Sequence, residues 1–275
     1  PNLAMGLGYF ADEGIEIQEV DVAEVADPEY RFQEALISGD LDFSYHWFQH
    51  AVFGARHGLP VAAVMLASDS PGMTVLVANR VKDEIGSGAD FKGRRVAEGA
   101  RYATKAMLMN YLAKKGGGEE GNYTSVAQGT AGRREAVVEG FKAGQIDLAA
   151  FMEPMTSALL DTNLVTPLFD LTSRSETVKI LGAGFPSEAL LVSHRYIEEN
   201  PDVVQRMVNA LVRTMRYVNS HSAEEIVANL PEEYMQGRDV AAQTELVRKT
   251  LKVYAQDNYA VIHEDAELMI DVIDS

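Results

Sequence analysis

Three histidines pose the first chemical question. His46, His50 and His57 fall at i, i+4 and i+11, spacings that bring side chains near one face of a helix. Two histidines four apart can clamp zinc, but a zinc site needs further ligands close by. The segment offers Trp47, Phe48 and Phe53 instead of a carboxylate, and His57 stands where the helix should end, a favourable place beside its dipole. Capping, packing or ligand contact is expected of the three, and no metal.

Tyr45-His46-Trp47-Phe48 follows a short apolar run, and Trp47 is the only tryptophan in the chain. Phe43 and Phe48 read as core. Tyr45, His46 and Trp47 would occupy the carboxyl end of a strand and the first turn of the next helix, where open α/β sheets bind ligands. Glu98-Gly99-Ala100-Arg101-Tyr102-Ala103-Thr104 makes the same transition further along. Free N–H groups at that helix start, with the Arg101 guanidinium, suit a carboxylate, sulfonate or phosphate. Phe151-Met152-Glu153-Pro154 is a third such junction. Glu153 either favours the helix start or accepts hydrogen bonds from a ligand amine or amide.

Other chemistries find no footing. Gly6-Leu7-Gly8 precedes the first predicted strand and lacks the last glycine of a dinucleotide fingerprint. The chain has no Walker A, G-x-S-x-G or H-E-x-x-H sequence. Without cysteine it has no disulfide, thiolate metal site or cysteine nucleophile. No catalytic residue, metal ligand or cofactor is assigned.

The elements that must hold these junctions come from 275 residues of ordinary globular composition, 47% hydrophobic and 24% charged. That length suggests two lobes. Asp and Glu outnumber Lys and Arg by 41 to 24, a net charge of −17. Such a surface repels nucleic acid and anionic lipid, although a local pocket can still be positive. The longest apolar stretch, Pro60 to Ala67, is too short to cross a membrane. Pro1 has no methionine before it and the chain opens into a predicted helix. A mature or trimmed chain is therefore expected, its leader and first strand lying upstream.

Strand and helix alternate through most of the sequence. Gly14 to Val22 alternates apolar and polar residues with period two, predicting a half-buried strand. Further strands are predicted at Leu41–Tyr45, Pro60–Ala67, Met73–Ala78, Arg94–Ala97, Tyr123–Ala127, Ile146–Phe151, Val165–Leu171 and Glu188–Val192. Helices are predicted at Glu29–Ser38, Trp47–His57, Tyr102–Lys115 and Gly132–Lys142, then at 201–219, 222–229, 239–255 and 263–273. The pattern predicts parallel sheets with helices on both faces, followed by a helical C-terminal tail.

The order of segments resembles the substrate-binding proteins of ABC importers in the nitrate, sulfonate, taurine and thiamine-precursor branch. The resemblance is carried by Gly8-Tyr9-Phe10-Ala11-Asp12-Glu13-Gly14-Ile15, Ala35-Leu36-Ile37-Ser38-Gly39-Asp40-Leu41-Asp42-Phe43 and Asp90-Phe91-Lys92-Gly93-Arg94-Arg95-Val96. Gly144-Gln145-Ile146-Asp147-Leu148-Ala149, Glu153-Pro154 and Glu199-Asn200-Pro201 complete it. It implies an α/β protein of two doubly wound lobes joined by two crossover strands, the type II periplasmic-binding-protein fold. Lobe 1 would comprise residues 1–77 and 189–275, and lobe 2 residues 78–188. Met73–Ala78 and Glu188–Val192 would form the hinge.

Carried over position by position, the cleft would be lined by Tyr45, His46, Trp47, Ala100, Arg101, Tyr102, Thr104, Phe151 and Glu153. Ser70, Pro71 and Gly72 would join before the first crossover, and Gly184 and Phe185 before the second. The implied protein is a monomer that binds a small-molecule solute and catalyses nothing. It would be periplasmic or otherwise extracytoplasmic, anchored through its missing N-terminus, with an ABC-importer membrane permease as partner. A thiamine-pyrimidine-synthesis type of enzyme and a ligand-sensing domain are the alternatives on the same fold. Sulfonate-binding members place a hydroxyl residue after the glycine where this chain has Ala100. Tyr45, His46, Trp47, Tyr102 and Phe185 instead favour a planar solute, and Arg101 its anionic end.

Overall fold

The continuous apolar run Met73–Ala78 becomes a strand with every residue buried, as a strand covered on both faces requires. It belongs to a computed structural model that describes residues 1–275 apart from 21–30, 99–102, 119–122 and 127–133. The strands are β1 (Ser44–Trp47), β2 (Val61–Leu66), β3 (Met73–Ala78), β4 (Arg95–Ala97), β5 (Thr124–Val126), β6 (Leu148–Phe151), β7 (Val165–Leu171) and β8 (Glu188–Ser193). The first helices are α1 (Asn2–Gly6), α2 (Tyr9–Asp12), α3 (Arg31–Ser38), α4 (Gln49–Arg56), α5 (Thr104–Lys115), α6 (Arg134–Lys142), α7 (Met155–Leu160) and α8 (Arg174–Leu181). The helical C-terminal part holds α9 (His194–Glu199), α10 (Pro201–Ser220), α11 (Ala223–Ala228), α12 (Val240–Thr250) and α13 (His263–Ile273).

The chain forms two compact units: Pro1–Ser70 with Pro186–His263, and Pro71–Phe185 with Glu264–Ser275. In unit 1 the sheet order is β1-β8-β2, with β8 antiparallel to both neighbours. The sequence pattern predicts parallel neighbours. The difference follows from connectivity: β2 leads the chain out of the unit and β8 leads it back in, so the two run oppositely. The alternation of β8 serves two cores. Leu190 and Val192 pack with Phe10, Met65, Met207, Ala210 and Leu211 on one side, and Ala189 and Leu191 with Leu36, Val61 and Leu66 on the other. Helix α10 supplies most of the first cover, opening with Pro201 at its first turn, where a missing N–H costs nothing.

The predicted strand at Gly14–Val22 is not formed in its described part. Ile15–Val20 is without strand assignment, although Ile15 and Ile17 lean into the core while Glu16 and Gln18 face out. The alternation sorts the side chains correctly, but among the described residues no neighbouring strand supplies hydrogen bonds. Asp21 and Val22 lie outside the described residues.

Unit 2 has a five-stranded sheet in the order β5-β4-β6-β3-β7. β4 runs parallel to β5 and β6, whereas β3 is antiparallel to β6 and β7. Helix α5 packs Ala106, Met107, Leu108, Met109 and Leu112 inward. Two buried carboxylates tie separate segments of the unit together. Asp147 accepts from the Arg95 backbone N–H at 2.8 Å, from Arg95 Nε at 2.9 Å, and from Arg80. Asp265 of α13 accepts from Arg174 Nη1 at 2.5 Å and from the Gly184 N–H at 2.8 Å.

Candidate functional site

The three strand-to-helix junctions fall at carboxyl ends of strands, one in unit 1 and two in unit 2. In unit 1, Tyr45 is central to β1 and its hydroxyl donates to Glu188 Oε2 at 3.0 Å. Glu188 opens β8 directly opposite Trp47. Burial pushes the Glu188 carboxyl above its ordinary pKa, against the hydrogen bond from Tyr45, which pulls it down. The hydroxyls of Tyr45 and Tyr254 are both pushed up, first by burial and then by the Glu188 charge. The result is a desolvated acid flanked by two phenols.

His46 lies on the opposite face of β1, against an aromatic group. Its ring meets Phe32 at 4.0 Å and His50 at 4.3 Å, edge to face. The two histidines do not share a helical face as their spacing suggests: His46 lies in β1 and His50 in the first turn of α4, and the corner between brings the rings together. Burial lowers both to about 4, with the neighbouring His50 a second cause for His46. Both are therefore neutral at pH 7. His46 Nδ1 accepts the Trp47 N–H at 2.7 Å, and His57 closes α4 by donating from Nδ1 to the Phe53 carbonyl at 2.8 Å. Trp47 is half-buried.

Ser70 is fully buried. Its Oγ donates to the Val253 carbonyl at 3.1 Å, and its own carbonyl accepts from Ser68 Oγ at 2.9 Å and Ser187 Oγ at 2.6 Å. Its hydroxyl and its carbonyl together tie three chain segments of unit 1.

Unit 2 holds the rest. Pro71 and Gly72 are buried. Gly72 has φ +66°, which glycine adopts without strain, and its N–H donates to the Leu171 carbonyl at 3.0 Å. Thr104 is buried at the start of α5, and Phe151 ends β6 with its carbonyl accepting from Thr156 Oγ1 at 2.7 Å. Glu153 turns toward α7, accepting from Ser157 Oγ at 2.9 Å and more weakly from the Ser157 N–H at 3.3 Å. Phe185 is fully buried. A Cβ on Gly184 would crowd the Arg174 guanidinium and the Asp265 carboxylate, so a side chain there would require that ion pair to shift. Ala100, Arg101 and Tyr102 lie outside the described residues.

Sequence reading passes over three charged groups at these strand ends: Glu188, Glu98 and Lys105. Lys105 Nζ stands 4.7 Å from the centre of the Phe151 ring, a cation–π contact. Burial lowers its pKa and the Glu98 charge opposes that shift. Glu98, itself buried, accepts from the Tyr123 hydroxyl at 2.5 Å. One signal was available for Lys105: a lysine in the first turn of a helix sits badly with the dipole and needs another reason to be there. Among the described residues, no group of three or more His, Asp or Glu is placed to hold a metal. None of their helices is long and apolar enough to cross a membrane.

The arrangement offers hydrogen-bonding phenols and an acid in unit 1, and an aromatic ring with a poised ammonium in unit 2. A search of curated protein sequences finds no match. Among solved structures, the periplasmic aliphatic sulphonate binding protein SsuA from Escherichia coli is similar with TM-score 0.72 and 18% identity, covering 99% of this chain and 88% of that one. The periplasmic nitrate-binding protein NrtA from Synechocystis PCC 6803 gives TM-score 0.61 and 15% identity over 96% and 71% of the two chains. The desulfurization enzyme DSZB gives 0.63 and 14% over 99% and 87%. Such likeness shows the fold, the periplasmic-binding-protein-like α/β architecture expected from the order of segments. The sequence model described as NMT1/THI5 like matches residues 3–225, and the chain belongs to that family.

Proposed function

We propose that the protein is an extracytoplasmic solute-binding protein that delivers a small planar or anionic organic solute to the membrane permease of an ABC importer. Membership of the family supports this reading, as does a fold shared with a sulfonate-binding and a nitrate-binding protein. The structural observation that carries the solute class is Lys105 poised over the Phe151 ring. An ammonium half-withdrawn from water beside an aromatic face attracts a flat acid more strongly than the same charge on an open surface. Arg101, four residues earlier, is proposed to add a second cation. Residues of both units are proposed to engage the solute, which then favours a closed arrangement.

A thermal-shift screen of benzoate, benzenesulfonate, pyrimidines, taurine and nitrate tests the assignment. Planar acids should raise the melting temperature, and Lys105→Gln should weaken their binding roughly tenfold or more. Stabilisation by nitrate or taurine alone would overturn the planar class. Scattering with and without a stabilising solute should show a smaller radius when it is bound; an unchanged radius at saturation counts against closure. The fold of DSZB favours one second reading, an enzyme. Mass spectrometry of the solute after incubation decides between them, since a carrier returns it unchanged.

A further inference from the structure

The surroundings of His46 and His50 fix which nitrogen of each ring carries hydrogen. A backbone N–H can only donate, so the Trp47 N–H at 2.7 Å makes His46 Nδ1 an acceptor. Gln33 does the same for His50. Its Nε2 donates to the His50 carbonyl at 3.2 Å, which settles which end of the amide is nitrogen. The same Nε2 stands 3.4 Å from His50 Nδ1, so that ring nitrogen also accepts. Gln33 has no exposed surface, and its Oε1 is buried with no hydrogen-bond partner among the described residues. Reversing the amide would set two oxygens against each other. Oε1 therefore goes unpaired while the nitrogen faces His50, a buried exception that calls for a reason.

A neutral imidazole that accepts at Nδ1 carries its hydrogen on Nε2, at the end of the ring away from the backbone. Burial keeps both rings neutral near neutral pH. Neither Nε2 is bonded to another described residue. Neither is sealed from water, since among the described residues only Gln33 Oε1 and Thr177 Oγ1 are buried without a partner. The ring centres lie 4.3 Å apart, with Phe32 edge-on to both. Helix α4, whose first turn carries His50, starts without a side-chain cap, an end that favours electron-rich atoms.

We propose that His46 and His50 form a subsite of two uncharged N–H donors that takes an acceptor oxygen of the solute, with Gln33 as the residue that positions His50. The proposal rests on the solute-binding reading and narrows its class, from a flat acid to one with a second acceptor oxygen away from its acid group. It also excludes a metal at the pair. Both Nδ1 lone pairs are engaged and both Nε2 carry hydrogen, so neither ring offers a lone pair to a cation.

Long-range proton–nitrogen NMR on the ligand-free protein should show hydrogen on Nε2 and a bare Nδ1 in both rings. Gln33→Met should let His50 populate the other tautomer while His46 keeps its own. The probes are para-acetylbenzoate and para-ethylbenzoate, which share ring, charge and carboxylate, and only the first has a second acceptor. Para-acetylbenzoate should shift both Nε2–H signals and bind roughly tenfold more tightly. His46→Phe or His50→Phe, which keep a ring and lose the donor, should remove that preference. Hydrogen on Nδ1 of either ring, signals unmoved at saturating para-acetylbenzoate, or stoichiometric zinc binding at the pair would overturn the proposal. If Lys105→Gln weakens both probes while neither moves the ring signals, the solute-binding reading stands and this one falls. If the signals move and Lys105→Gln changes nothing, the donor pair stands and the role given to Lys105 falls.

Discussion

The two units solve the same problem with different success. In unit 2 the antiparallel strand β3 lies inside a five-stranded sheet, hydrogen-bonded on both sides and fully buried. In unit 1 the described residues form a three-stranded sheet, and Ile15–Val20, although it alternates like a strand, pairs with none of those strands. Both segments carry a clear hydrophobic pattern. The difference teaches that pattern decides which side a residue faces, while pairing decides whether the segment is a strand.

The comparison can be broken at three points. Leu76 of β3 has no exposed surface, so Leu76→Ala should cost roughly 3–5 kcal/mol through lost transfer energy and a cavity, read by denaturant unfolding. A loss below about 1 kcal/mol would mean that the unit 2 sheet is no better packed than its counterpart.

Acid should separate the units next. His46 and His50 are held near 4 against an ordinary 6.5, so the unfolded chain takes up protons that folded unit 1 refuses. Stability is lost as the pH falls from about 6.5 toward 4, on the order of 2 kcal/mol after allowing for the part-exposed rings. In unit 2, burial pushes the Asp147 carboxyl up, but hydrogen bonds from Arg95 and Arg80 outweigh it and hold it at about 2, below its ordinary 3.8. That contribution is lost only as the pH falls from about 3.8 toward 2. Amide spectra recorded down a pH series should therefore show unit 1 resonances collapsing first, and His50→Phe should delay the collapse. Simultaneous collapse, or unit 2 leading, sinks this ordering.

The smallest effect is expected at the unpaired segment. Ile17 is only half-buried, and Ile17→Ala should cost less than about 1 kcal/mol. A cost matching that of Leu76→Ala would show that Ile15–Val20 is held as firmly as a paired strand.

Where one physical signal dominates, the elements stand where the sequence puts them. Val165–Leu171 and Met73–Ala78 keep their expected limits, and α13 spans His263–Ile273 as predicted. Where tertiary contacts compete, the reading slips. The helix expected over 239–255 stops at Thr250, and Tyr254 is extended, drawn into an antiparallel bridge with Ser68. No local pattern announces that partner, which lies far away in sequence. The site divides in the same way. Tyr45 could be singled out as a candidate because it follows an apolar run at a strand end. Glu188 could not be, because its bond with Tyr45 crosses from β8 to β1 and leaves no local signal in sequence. Glu153, singled out for its position, accepts from Ser157 of α7, the helix-start role that its sequence position also allows.

The placement of α13 bears on how the protein is made. Unit 2 takes its body from Pro71–Phe185 but its closing helix from Glu264–Ser275, and the second half of unit 1 lies between them. A chain emerging from the ribosome in order has the five strands of unit 2 in hand long before Asp265 arrives to meet Arg174 and Gly184. Until then the surface that α13 covers, where Leu268, Met269 and Val272 become buried, stays open to water and to any holdase that recognises apolar chain. Vectorial synthesis thus leaves unit 2 unfinished while the rest of unit 1 is translated. A protein exported before folding would gain from that delay, because its stable form waits on Glu264–Ser275.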